Sequence, residues 1–206
     1  MNNRFEHRLS LPAIMEALKN FTDEQDRAVE KIGLGGLLKL KCSQLDHELC
    51  EWLVKVFDIE NCSLSLHGTT AKISPKDVER ILGVRAQGDM PEKSSDKELE
   101  DLAYELGFRN GTLTLTQLKD DLKKTQDAGN NFIRRFVLLA MGCLCLPGTK
   151  SGIRSSLLYL VKDATKLEKI NWGKLILDYL VDGVTKYKTK NTSGVAGCLF
   201  FLMVRC

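Results

Sequence analysis

Apolar positions recur at helical spacing along most of the chain. Leu45, Leu49, Trp52, Leu53, Val56 and Phe57 fall four, three, one, three and one apart, which is one wide apolar helix face on which Trp52 is expected to pack. Earlier, Ser10 and Pro12 precede Ile14, Met15 and Leu18, a capping serine and an early proline ahead of a helix. Thr22 with Gln25 forms a capping box before Ala28, Val29 and Ile32. Gly33, Gly35 and Gly36 should end that helix, because glycine adopts left-handed conformations cheaply and weakens helix interiors.

Ser63-Leu64-Ser65-Leu66 alternates, His67 to Thr70 can turn, and Ala71-Lys72-Ile73 can return, so a small β-hairpin is predicted near residues 63–73. Ser74-Pro75-Lys76-Asp77 then supplies a cap, a proline at the first helical position and an acid at the positive helix end; Gly83 stops that helix. Polar residues 85–96 are expected to be a surface loop that loosely subdivides the chain. Ser95 with Glu98, Thr114 with Gln117, and Asn130 start further helices. The helix from Phe132 to Cys145 is apolar nearly all round and should be central, ending near Pro147. Downstream, a helix is expected over Ile153–Lys162, another capped by Asn171, a mobile basic strip over Lys186–Lys190, and an apolar helix from Gly194. These elements predict a mainly α, single multi-helix globular domain over residues 1–206.

The 43% hydrophobic content of 206 residues is ample for such a core. Charge nearly cancels, 30 basic against 27 acidic residues, so the net charge dictates neither a nucleic-acid nor a membrane partner. Locally the balance shifts: Thr149–Lys190 carries nine Lys/Arg against four acids. The first eight residues place charge where a signal peptide needs an apolar core, and the longest apolar runs are too short for a bilayer, so an intracellular protein without a membrane partner is expected. Seven cysteines, an odd number, then read as buried reduced thiols without a structural disulfide.

Candidate chemistry is sparse. Gly33-Leu34-Gly35-Gly36 lacks the following Gly-Lys-Ser/Thr and the preceding strand of a phosphate loop, so a chain-redirecting turn is the better account. Cys42, His47, Cys50 and Cys62 offer soft ligands, but their spacing makes no zinc knuckle, and no metal is expected. The three histidines, His7, His47 and His67, have no nucleophile context, so no catalytic residue or cofactor is assigned and the chain is expected not to be an enzyme. Arg134, Arg135, Lys186, Lys188 and Lys190 are candidate phosphate contacts, with Trp172 and Tyr187 near enough in sequence to stack on bases. The bland alternative is a solvated charged face, with Trp172 belonging to an apolar helix stripe.

Ile32-Gly33-Leu34-Gly35-Gly36-Leu37-Leu38, Leu49-Cys50-Glu51-Trp52-Leu53-Val54, Ile73-Ser74-Pro75-Lys76-Asp77-Val78 with Leu82-Gly83, Asn171-Trp172 and Gly197-Cys198-Leu199 occur in that order. In them the chain resembles the plant mobile domain family, also labelled aminotransferase-like. The resemblance implies a helical, non-catalytic nuclear domain, from a family linked to transposon silencing, genome integrity and development through protein partners. The aminotransferase-like label has no support in the residues, since no lysine stands in a recognisable pyridoxal-phosphate context. Gly33, Gly35, Gly36, Trp52, Ser74, Pro75 and Trp172 are then scaffold residues. Family members continue the Gly-Cys-Leu helix further, so a shortened last helix is expected to leave a groove open, with Leu199, Phe200, Phe201 and Met203 as a partner surface.

Three functions remain open at this stage. The first is a transposon-derived protein-interaction module acting in nuclear gene regulation, its partner another protein, a second copy or a related full-length chain. The second is a non-specific nucleic-acid-binding accessory domain. The third is a partner-neutralising or toxic member of a selfish genetic pair.

Overall fold

The computed structural model describes residues 6–7, 9–42, 44–66, 68–92, 96–148, 152–190, 192 and 194–205. Local capping chemistry starts most of its helices where the sequence indicates. Helix α1 (Leu11–Leu18) carries proline in its first turn, although Ser10 makes no side-chain cap. Helix α2 (Asp23–Lys31) opens on a reciprocal box in which Thr22 Oγ1 accepts the Gln25 N–H at 3.2 Å and Gln25 Oε1 accepts the Thr22 N–H at 3.1 Å. Gly33, with φ +81°, terminates it, and a 3-10 turn follows over Gly35–Lys39. Asp46 caps α3 (His47–Val56) by accepting the Leu49 N–H at 2.9 Å.

The predicted hairpin becomes a three-stranded antiparallel sheet, because the chain leaving α3 adds a strand. β1 (Phe57–Asp58) pairs with β2 (Ser63–Leu66), which pairs with β3 (Thr69–Lys72). Leu66 faces Thr69 in register, so the return begins two residues before Ala71. Helix α4 (Pro75–Leu82) follows, its Asp77 carboxylate accepting from both Ser74 N–H (2.9 Å) and Ser74 Oγ–H (2.7 Å). Next come α5 (Asp96–Glu105), β4 (Thr112–Leu113), α6 (Leu115–Lys124, capped by Thr114) and α7 (Asn130–Ala140). The Ser95 cap, the His67 turn position and Cys206 lie outside the described residues.

A π-helical turn, Met141–Cys145, prolongs α7 toward Pro147, and Phe132, Phe136 and residues 137–141 are fully buried. The central apolar helix is therefore present. The helix expected over Ile153–Lys162 is instead β5 (Ile153–Arg154), paired to β4, and a 3-10 turn over Ser155–Leu160. β-Branched Ile153 beside Gly152 (φ +84°) suits the two-stranded ladder better than a helix start. Helix α8 runs Trp172–Lys190, so Lys186, Lys188 and Lys190 belong to its C-terminal end rather than to a mobile strip. The final helix, α9, is shorter at its start than expected and covers Leu199–Arg205.

The fold is mainly helical with two small antiparallel sheets, and one buried apolar cluster extends from Leu9 to Leu202. Residues 85–92 do not divide it. Arg85 O accepts the Gly173 N–H at 2.9 Å, Asp89 N–H reaches Lys169 O at 2.7 Å, and Asn171 N–H returns to Asp89 O at 2.9 Å. These bonds tie the polar stretch to the start of α8, because its backbone groups find partners that solvent would otherwise supply.

Candidate functional site

Three of the sequence blocks singled out above converge at one junction. Gly36 N–H donates to Gly83 O at 3.0 Å, and a β-carbon on Gly36 would lie 2.2 Å from Leu82 O and 2.3 Å from Gly83 Cα. Main chain thus meets main chain, at a distance only glycine permits. Trp172, fully buried, donates its indole Nε1–H to Ile32 O at 2.7 Å. The turn after α2, the end of α4 and the start of α8 are locked together there. Gly33 lies against Arg85 and Gly36 against Leu82 and Gly83, while a β-carbon on Gly35 would meet Glu30 at 2.8 Å to Cγ and 3.3 Å to Cα.

Trp52 departs from that role. It is 44% exposed, since Cys50, Leu53, Val54 and Phe57 take the buried face of α3 and its end. The face read from spacing was too wide by one residue. Conversely, Leu199, Phe200 and Phe201 are 0%, 5% and 0% exposed, so the proposed partner surface is core. Helix α9 lies antiparallel on α3, with Asp46 N–H directed at Met203 Sδ (3.3 Å) and the Cys50 thiol near Leu199 O (3.9 Å). Met203 is half-buried in this contact, and Val204, 48% exposed, is what α9 presents outward. An apolar run of this length on an α-helix buries every direction but one when helices flank it, which spacing alone does not reveal.

The candidate cationic contacts are mostly committed within the fold. Arg134 donates to Val161 O (3.0 Å) and Lys162 O (3.1 Å), and Arg135 donates to Asn131 and sits 3.6 Å from Asp121. Lys186 pairs with Asp182 one turn back. Lys188 donates to Lys55 O (2.9 Å) and Phe57 O (2.6 Å), closing carbonyls at the end of α3; partial desolvation lowers its pKa, against the pull of Asp58. Lys190 is exposed and makes no such contact among the described residues. Trp172 is too deeply buried to stack on a base.

The thiols divide by environment. Burial pushes Cys143 and Cys198 up to about 12 and raises Cys145 well above the ordinary thiol value. Such groups stay protonated and are poor nucleophiles. Cys42 and Cys62 are half-buried, and all six described cysteines are free thiols. Cys42 donates to Gln44 O at 3.0 Å, and no group of three or more possible metal ligands comes together among the described residues.

What sequence spacing missed is a contact between His7 and His47. Their ring centroids are 4.5 Å apart with planes tilted by 39°. Both line a cavity of about 380 Å³ together with Leu9, Leu11, Pro12, Gln44 and Leu45. The segment carrying His7 is held by Val195 N–H donating to Glu6 O at 3.1 Å, while His47 stands in the first turn of α3. Forty residues separate the two histidines, and no local pattern announces the pairing.

A family model described as "Domain of unknown function (DUF8566)" matches residues 7–203. The chain belongs to this family. It is also similar to the Serine/threonine-protein phosphatase 7 long form homolog of Arabidopsis thaliana, at 25% identity over 188 residues, which is 84% of this chain and 14% of that protein. The chain thus spans a small part of the relative's length. No solved structure matches it. No helix among the described residues is long and apolar enough to cross a membrane.

Proposed function

We propose that this member of the family is a non-catalytic protein-interaction module of the plant mobile domain type, acting in the nucleus in gene regulation or silencing through protein partners. The observation that supports this reading is the junction of Gly36, Gly83, Trp172 and Ile32, where three blocks of the resemblance meet through backbone contact and one indole hydrogen bond. The stretch shared with a far longer Arabidopsis protein fits a module carried on chains of different make-up. Protonated buried thiols support the absence of cysteine catalysis. For a partner surface, exposed Trp52 and Val204 on the packed pair α3 and α9 replace the buried phenylalanines.

The test is affinity purification of the full chain from plant nuclei, in parallel with Trp52→Arg. A stoichiometric protein complex that survives moderate salt and weakens at least tenfold in the variant is expected. Absence of any reproducible complex, or a complex indifferent to Trp52→Arg, overturns the assignment or its surface respectively. Binding to arbitrary duplex DNA that collapses with salt and falls in Lys190→Gln would transfer the function to the nucleic-acid reading. Hydrolysis of a phosphorylated peptide by the purified chain would overturn the non-catalytic assignment.

A further inference from the structure

We propose that the outer edge of strand β3 is a strand-addition site for an extended acidic segment of a partner protein. β3 (Thr69–Lys72) is outermost in its three-stranded sheet, and Thr69, Thr70 and Lys72 are exposed. The ladder to β2 decides which of its main-chain groups are free. Ile73 N–H donates to Cys62 O at 2.8 Å, so in the antiparallel register the bonded pairs are Cys62 with Ile73, Leu64 with Ala71 and Leu66 with Thr69. Thr70 and Lys72, which alternate with these, direct N–H and C=O away from β2. Among the described residues those groups have no hydrogen-bond partner. A strand laid alongside can bond every one of them, which is how extended peptides add to a sheet.

The hairpin tip leaves the approach open, since a β-carbon on Gly68 would meet nothing within 4 Å. The free edge ends at Lys72, because the Ser74 N–H is already spent on Asp77 at 2.9 Å. Charge selects the occupant. Lys72 on the edge and Lys76 in the first turn of α4 are exposed, and neither enters an ion pair among the described residues. Pairing with a second copy of β3 would gather these lysines from both chains, and like charges across a strand pair are unfavourable. A strand alternating β-branched residues with acids instead sets a carboxylate opposite Lys72 and keeps high strand propensity. This inference rests on the interaction-module reading but not on the surface of α3 and α9.

The test is titration of the purified, isotope-labelled full chain with a short capped peptide of alternating valine and glutamate, followed by amide NMR. With peptide at about ten times its Kd, hydrogen exchange at the Thr70 and Lys72 amides should slow about tenfold, while that at Ala71, already bonded to β2, should change little. Thr70→Pro removes an outward donor without touching the bonds to β2 and should weaken the peptide at least tenfold. Lys72→Glu, an exposed substitution that keeps the fold, should reverse the preference toward a valine–lysine peptide. No binding below millimolar peptide, protection confined to other amides, or a preference unaltered by Lys72→Glu overturns the site. A dimer in sedimentation equilibrium that Thr70→Pro dissociates would give the edge to a second copy and overturn the acidic occupant. A complex from plant nuclei that is indifferent to both variants overturns this edge alone and leaves the interaction-module reading standing.

Discussion

Replacing Gly36 with alanine drives a methyl group into main chain. The new carbon would stand 2.2 Å from Leu82 O, 2.3 Å from Gly83 Cα and 2.6 Å from Gly83 C, none of which can rotate away as a side chain could. The turn and the end of α4 must separate, which also stretches the 3.0 Å bond from Gly36 N–H to Gly83 O. Overpacking of this kind costs about 1–3 kcal/mol and the weakened hydrogen bond about 1 kcal/mol more, for a loss of about 2–4 kcal/mol. Gly36 is not among the residues with positive φ, so backbone strain adds nothing to that sum. Urea unfolding followed by circular dichroism measures the loss directly, and a thermal melt should fall by roughly 4–16 °C for a chain of this size. Two controls separate the causes. Gly35→Ala meets Glu30 at 2.8 Å to Cγ and 3.3 Å to Cα, a looser approach than that of Gly36, and should cost about 1 kcal/mol. Gly68→Ala has open space but φ +80°, so it reports left-handed strain alone, about 1–2 kcal/mol. A Gly36→Ala loss no larger than that of Gly35→Ala would refute the close approach of the two glycines.

Trp172→Phe removes the indole donor and orphans the buried Ile32 carbonyl, so urea unfolding should show a loss of about 2–4 kcal/mol, against under about 0.5 kcal/mol for Trp52→Phe on the exposed face. Glu16, hydrogen-bonded first by Lys119 and then by Lys123, has its pKa lowered from 4.5 to about 2. A depressed acid contributes stability above its unfolded pKa and loses it as pH falls, so an extra decline between pH 4.5 and about 2 is expected in the wild type. That decline should be absent in Glu16→Gln and reduced by salt; parallel stability profiles would contradict the pairing. Iodoacetamide at pH 8 should label Cys42 ahead of Cys143, Cys145 and Cys198, which should react only after unfolding, as read by peptide mass spectrometry.

Much of the fold was legible because its signals are local. The Thr22–Gln25 box, the Ser74–Asp77 cap, the Asn171 cap that accepts the Lys174 N–H at 2.9 Å, and the stop at Gly83 (φ +63°) each depend on residues within one turn. Periodicity gave the burial of Leu53 and Phe57, but it admitted Trp52 to the same stripe because a helical wheel cannot tell the edge of a face from its centre. The Ile153 segment failed for a different reason: its partner strand, Thr112–Leu113, lies about forty residues away and contributes only two residues to the ladder. Arg134, Arg135 and Lys188 looked free because the carbonyls and carboxylate they reach are invisible until the chain is folded.

By itself the sequence determined a mainly helical chain, the chemistry of its helix ends and the central apolar helix. Those properties follow from hydrogen bonds and side-chain spacing within a few residues. Only the tertiary structure decided which surfaces exist. It buried Leu199, Phe200 and Phe201 beneath α3 and α4, left Trp52 and Val204 outside, spent most of the candidate cations on acceptors within the fold, and set His7 against His47 in the lining of a cavity. Exposure and convergence are properties of what packs against a residue, and that partner is seldom its neighbour in the chain.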